Sequence, residues 1–214
     1  MKKITPLFAA VLLLAGSLAG CSDEGETFET KSYTPEETAI SGIEIQATDR
    51  EIAVVLSGDG QFHIDYAESA KEFYDISVSE SGVLTMVQKS DKEWTDYIRG
   101  SKSAGANQIT IQIPDTTLSI LRLCTTKEDI ALPALTVTDQ VTLSTNGGDI
   151  SFDTLSAASE ITLENKNGDI TGTIAGSWDE YAITCTIKKG ESSLPDEKNG
   201  GNNNGDIDIE FISE

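Results

Sequence analysis

The only histidine of the 214-residue chain stands two positions before an aspartate, in Phe62-His63-Ile64-Asp65-Tyr66. A His beside a carboxylate is two thirds of the machinery that activates a hydroxyl or thiol nucleophile. In a strand, however, alternation of period two turns Phe62, Ile64 and Tyr66 to one face and His63 with Asp65 to the other. No Gly-x-Ser-x-Gly elbow and no second His exist to complete a triad or a zinc site, so a solvated strand face is the preferred reading. With 36 Asp and Glu in the chain, carboxylate pairs at separations suited to glycoside cleavage arise by abundance alone. A lyase acting on acidic polysaccharides would need clustered cations, and Arg50, Arg99 and Arg122 are scattered. No catalytic residue, cofactor or metal is therefore expected.

Two other groups invite a binding role. Asp129, Asp149, Asp169 and Asp206 each precede Ile, three of them in Gly-Asp-Ile. Calcium rolls place carboxylates in Gly-rich turns, but they use two turns per 18 residues, whereas one Asp recurs per 20 here. The expected role is structural, with turn-forming side chains satisfying local backbone groups. Residues 89–106 interrupt the strand pattern and hold Lys89, Lys92, Arg99 and Lys102 against Asp91, Glu93 and Asp96, together with Trp94, Tyr97 and Ile98. Aromatics beside cations on an inserted loop suit recognition of a glycan or an envelope protein, which makes Trp94, Tyr97 and Arg99 candidate contacts. The preferred alternative is that Trp94 and Tyr97 fold back to cover an open side of the domain.

The charge sets limits on partners. The chain carries 15 Lys and Arg against 36 Asp and Glu; removing residues 1–20, which hold Lys2 and Lys3 and no acid, leaves 13 against 36, a net of −23. Phosphate binding needs clustered cations that release counterions. Neither nucleic acid nor an anionic lipid surface is thus expected as a direct partner. At 38% hydrophobic, a chain of this length builds one sizeable core.

Lys2 and Lys3 precede an apolar stretch from Leu7 to Gly20, too short for the roughly 20 residues of a spanning helix. It ends Leu18-Ala19-Gly20-Cys21, which resembles the bacterial lipobox. The resemblance implies a cleaved signal peptide over 1–20, Cys21 as the lipidated, palmitate-bearing first residue, and a membrane anchor holding the protein on the extracytoplasmic face. Two or more acyl chains anchor stably where a single one does not. Residues 21–39 are rich in Glu, Thr and Ser and read as a tether, although Phe28 and Tyr33 suit an edge strand.

From residue 40 the chain reads as strands. Aligning Asp129-Ile130, Asp149-Ile150 and Asp169-Ile170, each 20 residues apart, stacks Leu121, Val141 and Ile161, then Leu123, Leu143 and Leu163, then Leu132, Phe152 and Gly172. Strands of this kind suit an antiparallel sandwich or a parallel solenoid. Only a solenoid, whose equivalent strands lie about 4.8 Å apart, gives a reason for one residue type per column. The expected fold is an all-β, single-stranded parallel β-helix with coils of about 20 residues over 40–214, interrupted by the 89–106 insertion. Upstream strands are expected at Ile43–Ile45, Ile52–Leu56, Phe62–Tyr66, Tyr74–Val78, Val83–Val87 and Ile109–Ile113. Downstream, Tyr181–Ile187 and Ile207–Phe211 are expected strands, and Pro195–Asn203 a surface excursion. Cys124 would point out and Cys185 in, several coils apart, so neither forms a disulfide.

The segment Ile109-Thr-Ile-Gln-Ile-Pro114, the three Gly-Asp-Ile turns, the Tyr181 strand before Gly190 and the terminal Asp-Ile-Glu-Phe211 resemble the bacterial cell-envelope family known as putative-adhesin β-strand repeat proteins. The resemblance covers about residue 40 to the end. It implies a β-solenoid and an adhesin-like binding or scaffold role, with an accessory or sensory envelope-stress lipoprotein as the alternative. Lys127-Glu128-Asp129 departs from the Gly-Asp pattern, and a different turn shape is expected there.

Overall fold

Alternation of apolar and polar residues makes strands along most of the chain, and the phase of that alternation decides what each strand buries. The computed structural model describes residues 26–35, 39–94, 106–157, 160–177, 180, 185–186, 191–193, 198–199 and 207–212. Among them the architecture is all-β, without an α-helix. The strands are β1 (Glu29–Tyr33), β2 (Gly42–Gln46), β3 (Glu51–Leu56), β4 (His63–Glu68), β5 (Glu72–Val78), β6 (Val83–Ser90), β7 (Gln108–Ile113) and β8 (Thr117–Cys124). They continue with β9 (Ile130–Leu132), β10 (Leu135–Ser144), β11 (Ile150–Ala157), β12 (Glu160–Glu164), β13 (Ile170–Ala175), β14 (Cys185–Thr186), β15 (Lys198–Asn199) and β16 (Ile207–Ile212). All but β14 and β15 belong to one 14-stranded sheet. The upstream strands and the closing strand lie where alternation places them.

Pairing is mostly parallel, and its register is the sequence repeat. Val141 lies beside Ile161 and Leu143 beside Leu163 in β10 and β12. Ile130, Ile150 and Ile170 are neighbours across β9, β11 and β13, and Ile207 of β16 follows Ile170. Inward residues thus form continuous columns. One reads Ile109, Ile52, Ile130, Ile150, Ile170, Ile207 in space. All six are buried, each side chain withdrawing enough apolar surface to stabilise by roughly 1.5–3 kcal/mol. A second column joins Leu84, Ile43, Leu121, Val141 and Ile161. β10 turns a corner without ending: its pairing with β8 shifts register between Val137 and Gln140, and the extra residue of such a bulge bends the strand. In the next column over, Phe152 lies beside Gly172. A Cβ on Gly172 would come 2.3 Å from the Phe152 ring, so the large residue occupies the space that the missing side chain leaves.

Two expectations need correction. The 20-residue stacking in sequence order holds only from β8 onward. Upstream, β2 lies between β6 and β8, and β3 between β7 and β9. β2 and β3 therefore sit inside the stack, each with later strands on both sides, while β1 lies at an edge. The far side is closed by antiparallel strands, with β5 on β6, β4 on β7 and β1 on β4. Sequence alternation is blind to this order because it reports which face a residue takes and not which strand lies beside it. The glycines of the two described Gly-Asp-Ile turns, Gly148 and Gly168, in turn, are not selected for positive φ; among described residues that region holds Gly60, Gly82, Gly176 and Asp49. A Cβ on Gly148 would meet the Glu128 carbonyl carbon at 2.2 Å, and one on Gly168 the Gly148 oxygen at 2.1 Å. Close stacking of the turns demands glycine.

Within the stretch read as tether, Glu29–Tyr33 forms β1, paired to β4 from Glu29↔Glu68 to Tyr33↔Ile64. Most of 181–206 lies outside the described residues, apart from 185–186, 191–193 and 198–199.

Candidate functional site

The repeat turns hold each other through short polar side chains. Asp149 N–H donates to Asp129 Oδ1 at 2.8 Å, and Asp169 N–H to Asp149 Oδ1 at 2.8 Å. Each carboxylate of the pair thus accepts the amide of the turn above it. A parallel column runs through Thr125, Thr145 and Asn165, all buried. Thr125 Oγ1 donates to Arg50 O at 2.7 Å, Thr145 Oγ1 to Glu128 O at 3.1 Å, and Asn165 Nδ2 to Gly148 O at 2.7 Å. The Asn165 Oδ1 accepts from the amides of Asn167 and Gly168, both at 3.2 Å. These turns are structural in the sense expected of Asp129, Asp149 and Asp169. Asp206 lies outside the described residues.

His63 faces away from the core as alternation requires, but its partners differ from the pair read in sequence. Its Nε2 lies 2.9 Å from Asp59 Oδ2 and its Nδ1 2.9 Å from Thr34 Oγ1. Asp65 instead accepts from Gln112 Nε2 at 2.7 Å. Hydrogen bonds from Ser57 Oγ, the Gln61 amide and His63 hold the Asp59 carboxyl below the usual range. The imidazole thus joins a hydroxyl to a carboxylate, yet Asp59 is 57% exposed. A general base oriented from open solvent gains little from low-dielectric preorganisation. The relay fastens the loop after β3 to the end of β1.

The most concentrated chemistry lies at the antiparallel end. Arg50 is fully buried; its Nη2 pairs with Glu72, its Nε donates to Tyr74 Oη at 3.0 Å, and its Nη1 donates to Asp49 O at 3.1 Å. Lys92 pairs with the other Glu72 oxygen and with Glu26 Oε2 at 2.7 Å, and Ser69 Oγ donates to Glu26. The Phe28 ring completes the cluster, with Arg50 Cζ 5.7 Å and Lys92 Nζ 5.8 Å from its centroid. Burial works against the Lys92 charge, but the bonds and charges of Glu26 and Glu72 outweigh it and raise its pKa. Burial likewise raises Tyr74, and pushes Tyr66, edge-on to Tyr74 at 5.2 Å, up to about 12. Arg50 had stood out only as one of three scattered cations. The signal for its partner was phase: Glu72 falls on the same inward face of β5 as Tyr74.

Of the candidate ligand contacts, Trp94 is 73% exposed and so is not folded back over the described body, contrary to the preferred expectation for it. Tyr97, Arg99 and Cys21 lie outside the described residues, as does the side chain of Cys185. Cys124 is a free thiol on the outer face, half-buried, with burial raising its pKa. Among the described residues no group of three His, Cys, Asp or Glu is placed to hold a metal ion, and no helix is long and apolar enough to cross a membrane.

An all-β body with strands stacked in register defines a class of strand-repeat domains. The chain belongs to the Toastrack DUF4097 family, whose model matches residues 40–210. No curated protein matches it. Solved structures of similar shape include a putative cell adhesion protein from Clostridium sporogenes, 9% identical with a TM-score of 0.47, covering 87% of this chain and 95% of that one. A putative adhesin from Bacteroides fragilis is 16% identical with a TM-score of 0.31, covering 87% and 97%. A putative lipid binding protein from Parabacteroides distasonis is 12% identical with a TM-score of 0.24, covering 87% and 91%. None of these likenesses assigns an activity to the chain.

Proposed function

We propose that the protein is a lipid-anchored, extracytoplasmic β-solenoid module that binds or scaffolds an envelope partner, adhesin-like and without catalysis. Its body is a single-stranded parallel β-helix of about 20-residue coils, a reading supported by the register of β9, β11 and β13 and of β10 and β12. The observation that carries the function is the Leu-Ala-Gly-Cys21 ending of a 14-residue apolar stretch, followed after only a few residues by a folded all-β body with a polar outer face. A module of this build presents a rigid surface at a fixed distance from its membrane. The test is fractionation of cells expressing the full chain. The wild type is expected in the membrane fraction as a cleaved, palmitate-labelled form, and Cys21→Ser as an uncut precursor. A mature wild-type protein released as soluble on cell breakage overturns the assignment.

A further inference from the structure

We infer that the corner of the domain formed by Glu26, Lys71, Lys89, Lys92 and Trp94 lies against the bilayer, with Trp94 in the headgroup layer. The inference rests on Cys21 being the lipid anchor. The first described residue after it, Glu26, is held by Lys92 and Ser69, and β1 begins three residues later. Five residues extend at most about 17 Å, so Glu26 cannot lie farther than that from the lipidated sulfur's own residue. Whatever surrounds Glu26 is then membrane-proximal, and three contacts say what does. Lys92 bonds Glu26 directly, Asp91 N–H donates to Lys71 O at 2.9 Å, and Ser90 pairs with Glu72 at the edge of the sheet.

Trp94 follows two residues after Lys92, within about 7 Å of it along the chain, and is the most exposed of the large apolar side chains described. Tryptophan left in water at such a place suits the boundary between headgroups and acyl chains, where an apolar ring with one N–H donor has both of its surfaces matched. Asp91 and Glu93 just before it are exposed, as are Lys71, whose carbonyl accepts the Asp91 amide, and Lys89, which lies 3.7 Å from Asp75. Cations and acids in balance fit a zwitterionic headgroup layer, and the −23 charge of the rest of the body argues against a strongly anionic one. Trp94 thereby has a lipid partner in place of a glycan or peptide.

The acylated full-length protein, reconstituted in phosphatidylcholine vesicles with brominated acyl chains, tests this by quenching of tryptophan fluorescence. Trp178→Phe, which leaves Trp94 as the sole indole, is expected to be quenched several-fold more than Trp94→Phe. The wild type serves as the reference should either variant fold poorly, since its emission must fall on changing from plain to brominated lipid. Vesicle flotation run alongside separates the two ideas. Protein that floats while the Trp94 emission stays at its plain-lipid level overturns the orientation and leaves the anchor standing. Protein that does not float overturns both.

Discussion

The two ends of the stack are built by different means. From β8 to β13 the turns are nearly copies, and each turn satisfies the next through Asp129, Asp149, Thr145 and Asn165, side chains short enough to act within one turn spacing. At the other end strands of unlike origin meet, and the space between them is filled by Arg50, Glu72, Lys92 and Tyr74, long side chains that span 20 residues or more of sequence. Translation symmetry lets a short polar group find its partner at every step. Where the symmetry breaks, charge must be brought inside and neutralised, because long side chains reach irregular partners but carry their charge with them.

Breaking the irregular end is expected to cost most. Glu72→Ala strands the Arg50 charge and removes a partner of Lys92, and a loss of about 3–5 kcal/mol in denaturant unfolding is expected. A loss under 1 kcal/mol would show that the cluster is not what closes this end. Alkaline pH attacks the same end. Tyr66 and Tyr74 are held neutral by burial and Lys92 is held charged, so all three have folded pKa values above their unfolded ones. Their contribution is fully present below about pH 10, the unfolded tyrosine value, and is lost as pH rises through their raised folded values, which for Tyr66 is about 12. Hydrogen exchange should show β1, β4 and β5 opening in that window before β9, β11 and β13; simultaneous opening would contradict the contrast.

In the regular end the sensitive element is stacking distance. Gly168→Ala places a methyl on the Gly148 carbonyl, and the turns must part at a cost of about 1–3 kcal/mol; a neutral substitution in denaturant unfolding would show that stacking distance does not limit this end. Asp149→Ala removes a single accepted amide bond and should cost about 1 kcal/mol, with melting temperature unmoved by millimolar calcium. A calcium-dependent rise that vanishes in this variant would put a cation where the amide now sits.

The same contrast explains what the sequence disclosed. Ile130, Ile150 and Ile170 are legible because a period is information that a single chain carries about its own folding. Phe62, Ile64 and Tyr66 are legible because alternation fixes the buried face. The Arg50–Glu72 pair is a single event between residues of no shared period, so only the inward phase of Glu72 hinted at it. Asp59 and Thr34 as partners of His63 depend on the course of a loop and on an edge strand in a segment that reads as polar tether. No local pattern states either. The interior position of β2 and β3 left no mark at all.

That interior position bears on how the molecule is made. β2 and β3 emerge early from any machine that delivers the chain from its N-terminus, but each needs a strand on both edges, and these come from β6 to β9. Until about residue 132 has appeared, two apolar strands wait with unpaired backbone. Such edges template aggregation, and closing so many distant pairs is slow. The hairpin of β5 and β6, closed by a tight turn at Gly82, is the upstream piece able to form at once. This order of pairing favours assembly from the outside of the stack inward, and a chain arrested before β9 would leave its oldest strands its most adhesive surface.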